Sequence, residues 1–109
     1  MPEIKFEDFK NLDMRVGKVL EAKEIPESKN LLLLQVDFRE EKLQAVSGIK
    51  GVYLPENLVG KKFVFVLNLE RKKFLGYESQ CMILAAEDSN GKIVLLQPAE
   101  DIEPGSKIR

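Results

Sequence analysis

The chain has no histidine, no tryptophan and one cysteine in 109 residues. Without histidine, the commonest general base is missing, and so are the Ser-His and Cys-His nucleophile pairs. One thiol and no imidazole cannot assemble the usual zinc sites, so no metal and no cofactor are expected. Cys81 has no partner for an intramolecular disulfide and no histidine to activate it, and it reads as structural filler. Ser47-Gly48 suggests a nucleophile only until a base is sought and not found; Gly48 reads instead as a place where backbones approach closely. A hydrolase built on carboxylates alone would need two acids in one pocket, and no such pair can be placed. The expectation is therefore a protein without catalytic activity. Long apolar runs are also missing: nothing approaches the roughly 18 residues of a membrane span. The first residues, Met1-Pro2-Glu3-Ile4-Lys5-Phe6-Glu7, lack a basic start and an apolar stretch, so a secretory signal is not expected and a cytoplasmic location is.

Charge of one sign is scarce too. With 17 basic and 18 acidic side chains the net charge is −1, which does not advertise a nucleic-acid partner. Distribution matters more than the total. Residues 61–73 hold Lys61, Lys62, Arg71, Lys72 and Lys73 against Glu70 alone, a local excess of four positive charges. Any anionic ligand would be met there.

What is present is a succession of short strands in a length that suits one domain, 1–109. Phe6, Phe9 and Leu12 fall on one face of a short N-terminal helix within 1–12. Alternation from Met14 to Ile25 reads as a long strand, with Gly17 as the bulge where it bends. Pro26 and the polar run to Asn30 form a turn, and Leu31 to Phe38 is a strand apolar enough for burial on both sides. A loop at 39–42 leads to a strand from Leu43 to Ile49, and Pro55 opens a helical turn within Leu54–Leu58. The strand Lys61–Leu67, a polar loop Asn68–Ser79 and a strand Gln80–Glu87 come next. Asp88-Ser89-Asn90-Gly91 turns the chain into a last strand, Lys92–Gln97, because Asn-Gly readily takes positive φ. There is no βαβ spacing and no repeat. Closing such strands into a barrel removes exposed edges. The fold expected is all-β: a five-stranded OB-fold barrel, its short helix between strands three and four, with a C-terminal β extension over 92–109.

Several segments, in this order and spacing, resemble a known family. They are Asp13-Met14-Arg15-Val16-Gly17-Lys18-Val19, Val46-Ser47-Gly48-Ile49, Leu58-Val59-Gly60-Lys61-Lys62, and Asn68 through Gly76-Tyr77-Glu78-Ser79-Gln80-Cys81-Met82-Ile83-Leu84-Ala85-Ala86, with Leu95-Leu96-Gln97-Pro98 and Pro104-Gly105 near the end. Together they look like the tRNA-binding domain that is appended to methionyl-tRNA synthetases and also occurs as free-standing tRNA-binding proteins. The resemblance implies an OB barrel that grips tRNA by shape, and homodimers formed through elements outside the barrel. The sequence departs from the family pattern at Ile25, where histidine is common before Pro26, and at Lys29-Asn30, where Asp-Lys is common. It departs again at Glu70-Arg71, in place of Lys-Pro, and at Cys81, in place of glycine.

On this resemblance Arg71, Lys72 and Lys73 are candidate phosphate contacts rather than ordinary solvated charge. Asn68 and Ser79 could bond ribose hydroxyls or base edges, or simply cap their own loop. Met82 could lie against a base or fill the core. Lys29 and Asn30 complete the candidate tRNA-binding set. Asp13 and Arg15 read as a structural ion pair. Among the aromatics, Phe63 and Phe65 alternate within a core strand, leaving Phe38, Tyr53, Phe74 and Tyr77 as candidates for exposure. So thin a lining favours a folded RNA over single strands, which are bound by stacking platforms. Phe6, Phe9, Leu96, Ile102 and Ile108 lie in the two ends, 1–12 and 92–109, and are the expected dimer contacts. The partners expected are tRNA, a second copy of the chain and a methionyl-tRNA synthetase, with no membrane. The alternative is a peptide-binding chaperone like the secretion-related CsaA proteins, which share the barrel.

Overall fold

In the computed structural model, which describes residues 1–109, the first strand, β1 (Met14–Glu24), serves two neighbours. Its first half pairs antiparallel with β4 (Lys62–Val66), from Met14 opposite Val66 to Lys18 opposite Lys62. Its second half pairs with β2 (Leu32–Asp37), ending with Glu24 opposite Leu32. A strand shared in this way must bend, and an extra residue supplies the bend. That residue is Leu20: Val19 lies opposite Val36 and Glu21 opposite Gln35. The sequence points to Gly17 instead, but Gly17 stays in register with Phe63. Its missing side chain has a packing cause, because a Cβ there would lie 2.6 Å from the side chains of both Phe38 and Val36.

The sheet continues through β3 (Lys42–Ser47), paired with β2, and β7 (Met82–Ile83), paired with β4, giving the order β3-β2-β1-β4-β7. A single 3-10 turn, Pro55–Asn57, lies between β3 and β4 with Pro55 at its start, where a missing N–H costs nothing. The core is the barrel interior. Val19, Leu34, Val36, Leu43, Ala45 and Phe65 are buried there, and the Phe38 and Phe65 rings meet edge to face at 5.4 Å. Leu32, Leu33 and Leu34 are all buried, as their unbroken apolar run requires; Leu33 points away from the main core yet is covered.

Strand Gln80–Glu87 of the sequence reading is two strands. At Leu84 the chain leaves β4 and becomes β8 (Ala85–Glu87), paired with β9 (Ile93–Leu95). The Leu84 N–H donates to Val64 O at 3.0 Å while its own carbonyl accepts from the Leu96 N–H at 3.2 Å. The β8–β9 turn closes as expected, with Gly91 at φ 81° and the Asp88 carboxylate accepting the N–H groups of Asn90 and Lys92, each at 2.9 Å.

The C-terminal end returns to β1. The helix α1 (Phe6–Lys10) buries no residue. The C-terminal tail is more closely integrated: the Gly105 N–H donates to Val16 O at 2.7 Å, the Val16 N–H to Ser106 O at 2.9 Å, and the Ile108 N–H to Met14 O at 2.8 Å. Gly105, at φ 86°, rests against the Phe38 carbonyl where a Cβ would not fit. Gly48, by contrast, has nothing closer to a notional Cβ than Asn30 O at 3.9 Å, so close approach is not what it provides.

Candidate nucleic-acid interface

The polar loop of the sequence contains a hairpin, β5 (Lys72–Phe74) and β6 (Tyr77–Ser79), with Lys72 opposite Ser79, Lys73 opposite Glu78 and Phe74 opposite Tyr77. Its turn is Leu75-Gly76, with φ of 51° and 86°, the doubly positive geometry that matches the twist of two-residue hairpins. Leucine rarely adopts that conformation, which is why the sequence does not announce the turn.

Strand alternation divides the basic run. Lys72 and Phe74 share one face; Lys73 lies on the other, beside Glu78, whose carboxylate is 3.6 Å from the Arg71 guanidinium. Lys72 and Phe74 border a groove of about 480 Å³ that Leu69, Glu70, Ser79 and Met82 also line. Met82 is 44% exposed and Phe74 39%, so neither is core. Glu70 belongs to no ion pair. The sequence marks Phe74 as a candidate for exposure but misses Leu69 and Glu70 as groove residues. The alternate spacing of Glu70, Lys72 and Phe74 was the available signal, hidden while the segment read as a loop.

Two candidate RNA contacts already have partners. Asn68 accepts the Asp13 N–H at 2.8 Å and donates to Asn11 O at 2.6 Å. The Ser79 hydroxyl accepts the Val46 N–H and donates to Cys81 O, each at 3.0 Å. It therefore belongs to the seam between β3 and residues 78–81, which lead from β6 into β7 and close the barrel. The same seam is stitched by Gln80 N–H to Gln44 O at 2.8 Å, by Gln44 N–H to the Gln80 side chain at 2.9 Å, and by the Gln44 side chain to Glu78 O at 2.9 Å. Cys81 is buried in this seam, and burial pushes its thiol up to about 12.

Lys29 and Asn30 lie in the β1–β2 turn, outside the groove. That turn is held by Ser28 Oγ, which accepts the Asn30 and Leu31 N–H groups at 3.2 and 3.1 Å, and by the Lys50 ammonium on Ser28 O at 2.6 Å. Lys29 is exposed. Between this turn and the β5–β6 hairpin lies a broader hollow of about 610 Å³ over β1, β2 and β3, bordered by Lys23, Leu33, Gln35, Gln44 and Tyr77. In an OB barrel this outer face, flanked by these two loops, is the surface that takes oligonucleotides.

Three of the four aromatics expected to be exposed are not. Tyr77 is half-buried in β6. Phe38 is buried in the core beside Gly17, and Tyr53 is half-buried, its hydroxyl oxygen accepting the Leu95 N–H at 3.1 Å. Phe74 alone is exposed at the groove. Asp13 and Arg15 do form an ion pair, at 2.8 Å, and the bond to Asp13 raises the guanidinium's pKa further.

At the termini, Phe6 is 71% exposed. Its ring stacks on Phe9 at 6.3 Å, and the Lys10 ammonium lies 5.7 Å from its centroid. Phe6, Phe9, Leu12 and Ile108 line a hollow of about 260 Å³. Leu96 and Ile102 are exposed but do not border it. Among His, Cys, Asp and Glu side chains no group of three is placed to hold a metal ion, and no helix is long and apolar enough to cross a membrane.

Comparison with known proteins bears on this surface. The family model described as "Putative tRNA binding domain" matches residues 14–107. The chain is 51% identical, over its whole length, to a stretch of the methionine–tRNA ligase of Methanocaldococcus jannaschii. It spans 17% of that relative's length and similarly small parts of others. A solved MetRS-related protein from Pyrococcus horikoshii superposes with a TM-score of 0.95 at 40% identity, covering all of both chains. The chaperone CsaA from Bacillus anthracis superposes with a TM-score of 0.88 at 35% identity, covering 99% of this chain and all of that one.

Proposed function

The chain belongs to the tRNA-binding domain family, and from that membership we propose that it is a non-catalytic module that holds tRNA by shape, either alone or joined to a methionyl-tRNA synthetase. The match over residues 14–107 carries the proposal. Joined to a synthetase, the module would raise the effective concentration of tRNA at the enzyme's catalytic site. The physical support is local charge on a chain that is almost neutral overall. Lys72, Lys73 and Arg71 project from the hairpin, and Lys29 from the turn across the outer face; all four are exposed. Such cations position an RNA by its phosphates without reading its sequence. Asn68 and Ser79 contribute through the shape they give the hairpin, and Met82 through its exposed thioether.

The proposal includes a homodimer in the cytoplasm. The stacked Phe6–Phe9 pair is the apolar surface a second copy would cover, with Ile108 beside it; Leu96 and Ile102, exposed elsewhere on the chain, would join only if the interface extended beyond that hollow. Two-fold pairing would bring two basic hairpins to one RNA. The second reading, peptide binding, is favoured by one observation: the likeness to CsaA extends over the whole barrel.

The experiment is a direct comparison. Bulk tRNA should shift the protein in a gel and bind with an affinity whose logarithm falls against log salt with a slope of about −3 to −5, one phosphate contact contributing about 0.9. An unfolded polypeptide should compete poorly. Tight polypeptide binding with no tRNA shift would replace this function with the chaperone one.

A further inference from the structure

The groove beside Lys72 differs in chemistry from the rest of the basic surface. Leu69, Phe74 and Met82 expose apolar area there, more than a phosphate backbone could use. Two charges of opposite sign, Lys72 and Glu70, stand on its border. Its volume of about 480 Å³ lies in the range of small-ligand sites, roughly 300–1,000 Å³. A nucleobase with its ribose fits such a space, and a duplex does not. The Glu70 carboxylate has no hydrogen-bond or ion-pair partner in the fold. Exposed at the groove's border, it works against phosphate binding there and is free to accept a hydrogen bond from a ligand.

We propose that this groove receives one unpaired nucleotide of the RNA and that Glu70 selects bases carrying an exocyclic amine. The inference rests on the tRNA-binding function proposed above. Unpaired bases in loops and at ends can be splayed out and laid against aromatic and apolar side chains. Here Phe74 and Met82 would receive the base, and the ammonium of Lys72 its phosphate. A carboxylate only accepts hydrogen bonds. It therefore matches the amine at cytosine N4, adenine N6 or guanine N2. Uracil offers two carbonyl oxygens in the corresponding positions and a single N–H between them, so an ionised carboxylate is repelled on either side of its one bond. A hydrogen bond to a charged acceptor contributes about twice as much as a neutral one. The groove thereby adds base selectivity to a surface that otherwise reads shape.

The test uses the intact chain and tetranucleotides of cytidine, adenosine and uridine, titrated by NMR with the Met82 methyl signal as the local reporter. The expected result is about tenfold tighter binding of the cytidine and adenosine tetranucleotides than of the uridine one, the size of one charged hydrogen bond. All three should move the Met82 signal. In Glu70→Gln the preference should fall to within about threefold, because a carboxamide donates as well as accepts. Phe74→Ala should weaken all three alike. If tRNA binds but the tetranucleotides leave Met82 unmoved or do not bind, the groove is not a nucleotide site; if they bind there without preference, Glu70 does not select the base. A preference that survives Glu70→Gln overturns the role of Glu70. If tRNA does not bind either, the tRNA-binding function falls with it, and the two failures are told apart by the tRNA arm.

Discussion

Replacing Ser79 by alanine separates a barrel seam from an RNA contact. The hydroxyl takes the Val46 N–H and gives its proton to Cys81 O, both at 3.0 Å. Alanine leaves the Val46 N–H without its acceptor in a half-buried place. An unsatisfied buried group costs about 1–3 kcal/mol, and water entering from the groove keeps the loss near the lower end, about 1–2 kcal/mol. For a domain of this size each kcal/mol moves the melting temperature by roughly 4–8 °C, so Ser79→Ala should melt about 5–10 °C lower. Urea titration should show a lower midpoint with an unchanged slope, the sign of lost stability in an otherwise intact fold. tRNA affinity, measured well below the variant's transition, should change by less than about threefold, since the hydroxyl has no free proton to offer. An unchanged melting temperature together with a tenfold or larger loss of tRNA affinity would refute the seam assignment and restore Ser79 as a direct contact.

Replacing Lys72 and Lys73 together by alanine should reduce the salt slope of tRNA binding by about 1.8, two contacts at about 0.9 each, with stability changed by no more than about 1 kcal/mol, as for exposed sites. An unchanged slope would remove both from the phosphate surface. Sedimentation of the intact chain should give about twice its 12.4 kDa mass, and Phe6→Ser with Phe9→Ser should give a folded monomer, because α1 buries nothing in its own barrel; an intact chain that sediments as a monomer excludes the pairing. Burial pushes the Cys81 thiol up to about 12, so at pH 8 it holds far less thiolate than an exposed thiol. A disulfide reagent at that pH should modify the native chain much more slowly than the urea-unfolded chain, and comparable rates would mean the seam opens readily.

The elements that declared themselves in the sequence are those whose pattern and packing agree. The apolar run Leu32–Leu34 is buried on both faces, Pro55 opens its turn, and Asp88 to Gly91 close theirs. What stayed hidden depends on contacts between distant residues. Gly17 signals a bulge by composition, yet the glycine is demanded by Phe38 and Val36, and the bend falls at Leu20. The β5–β6 hairpin turns at Leu75-Gly76, outside the usual turn vocabulary. For the candidate site the segment was legible and the arrangement was not. A run of three cations reads as one patch, and alternation places Lys72 on the groove face and Lys73 with Glu78 on the other. Hydroxyl and amide side chains in a loop are ambiguous from sequence for a simple reason: the groups that suit them to bond RNA also suit them to bond backbone.

Asn68 is spent on backbone in this second way. Its side chain bonds Asn11 O at the end of α1 and the Asp13 N–H at the start of β1, and it stands at the root of the β5–β6 hairpin. The two chain ends are therefore not equivalent additions to a barrel. Residues 104–108 complete it, covering β1 and seating Gly105 against Phe38, whereas α1 buries no residue in it and is tethered through Asn68, in the segment that leads to β5. A second copy docked on Phe6 and Phe9 would hold α1, and through Asn68 the hairpin base, at a fixed place relative to the two-fold axis. The spacing between the two basic hairpins would then be set by the dimer and not by the RNA. Rigid spacing of a few phosphate contacts is what recognition by shape requires, since no single hairpin carries enough charge to tell one folded RNA from another.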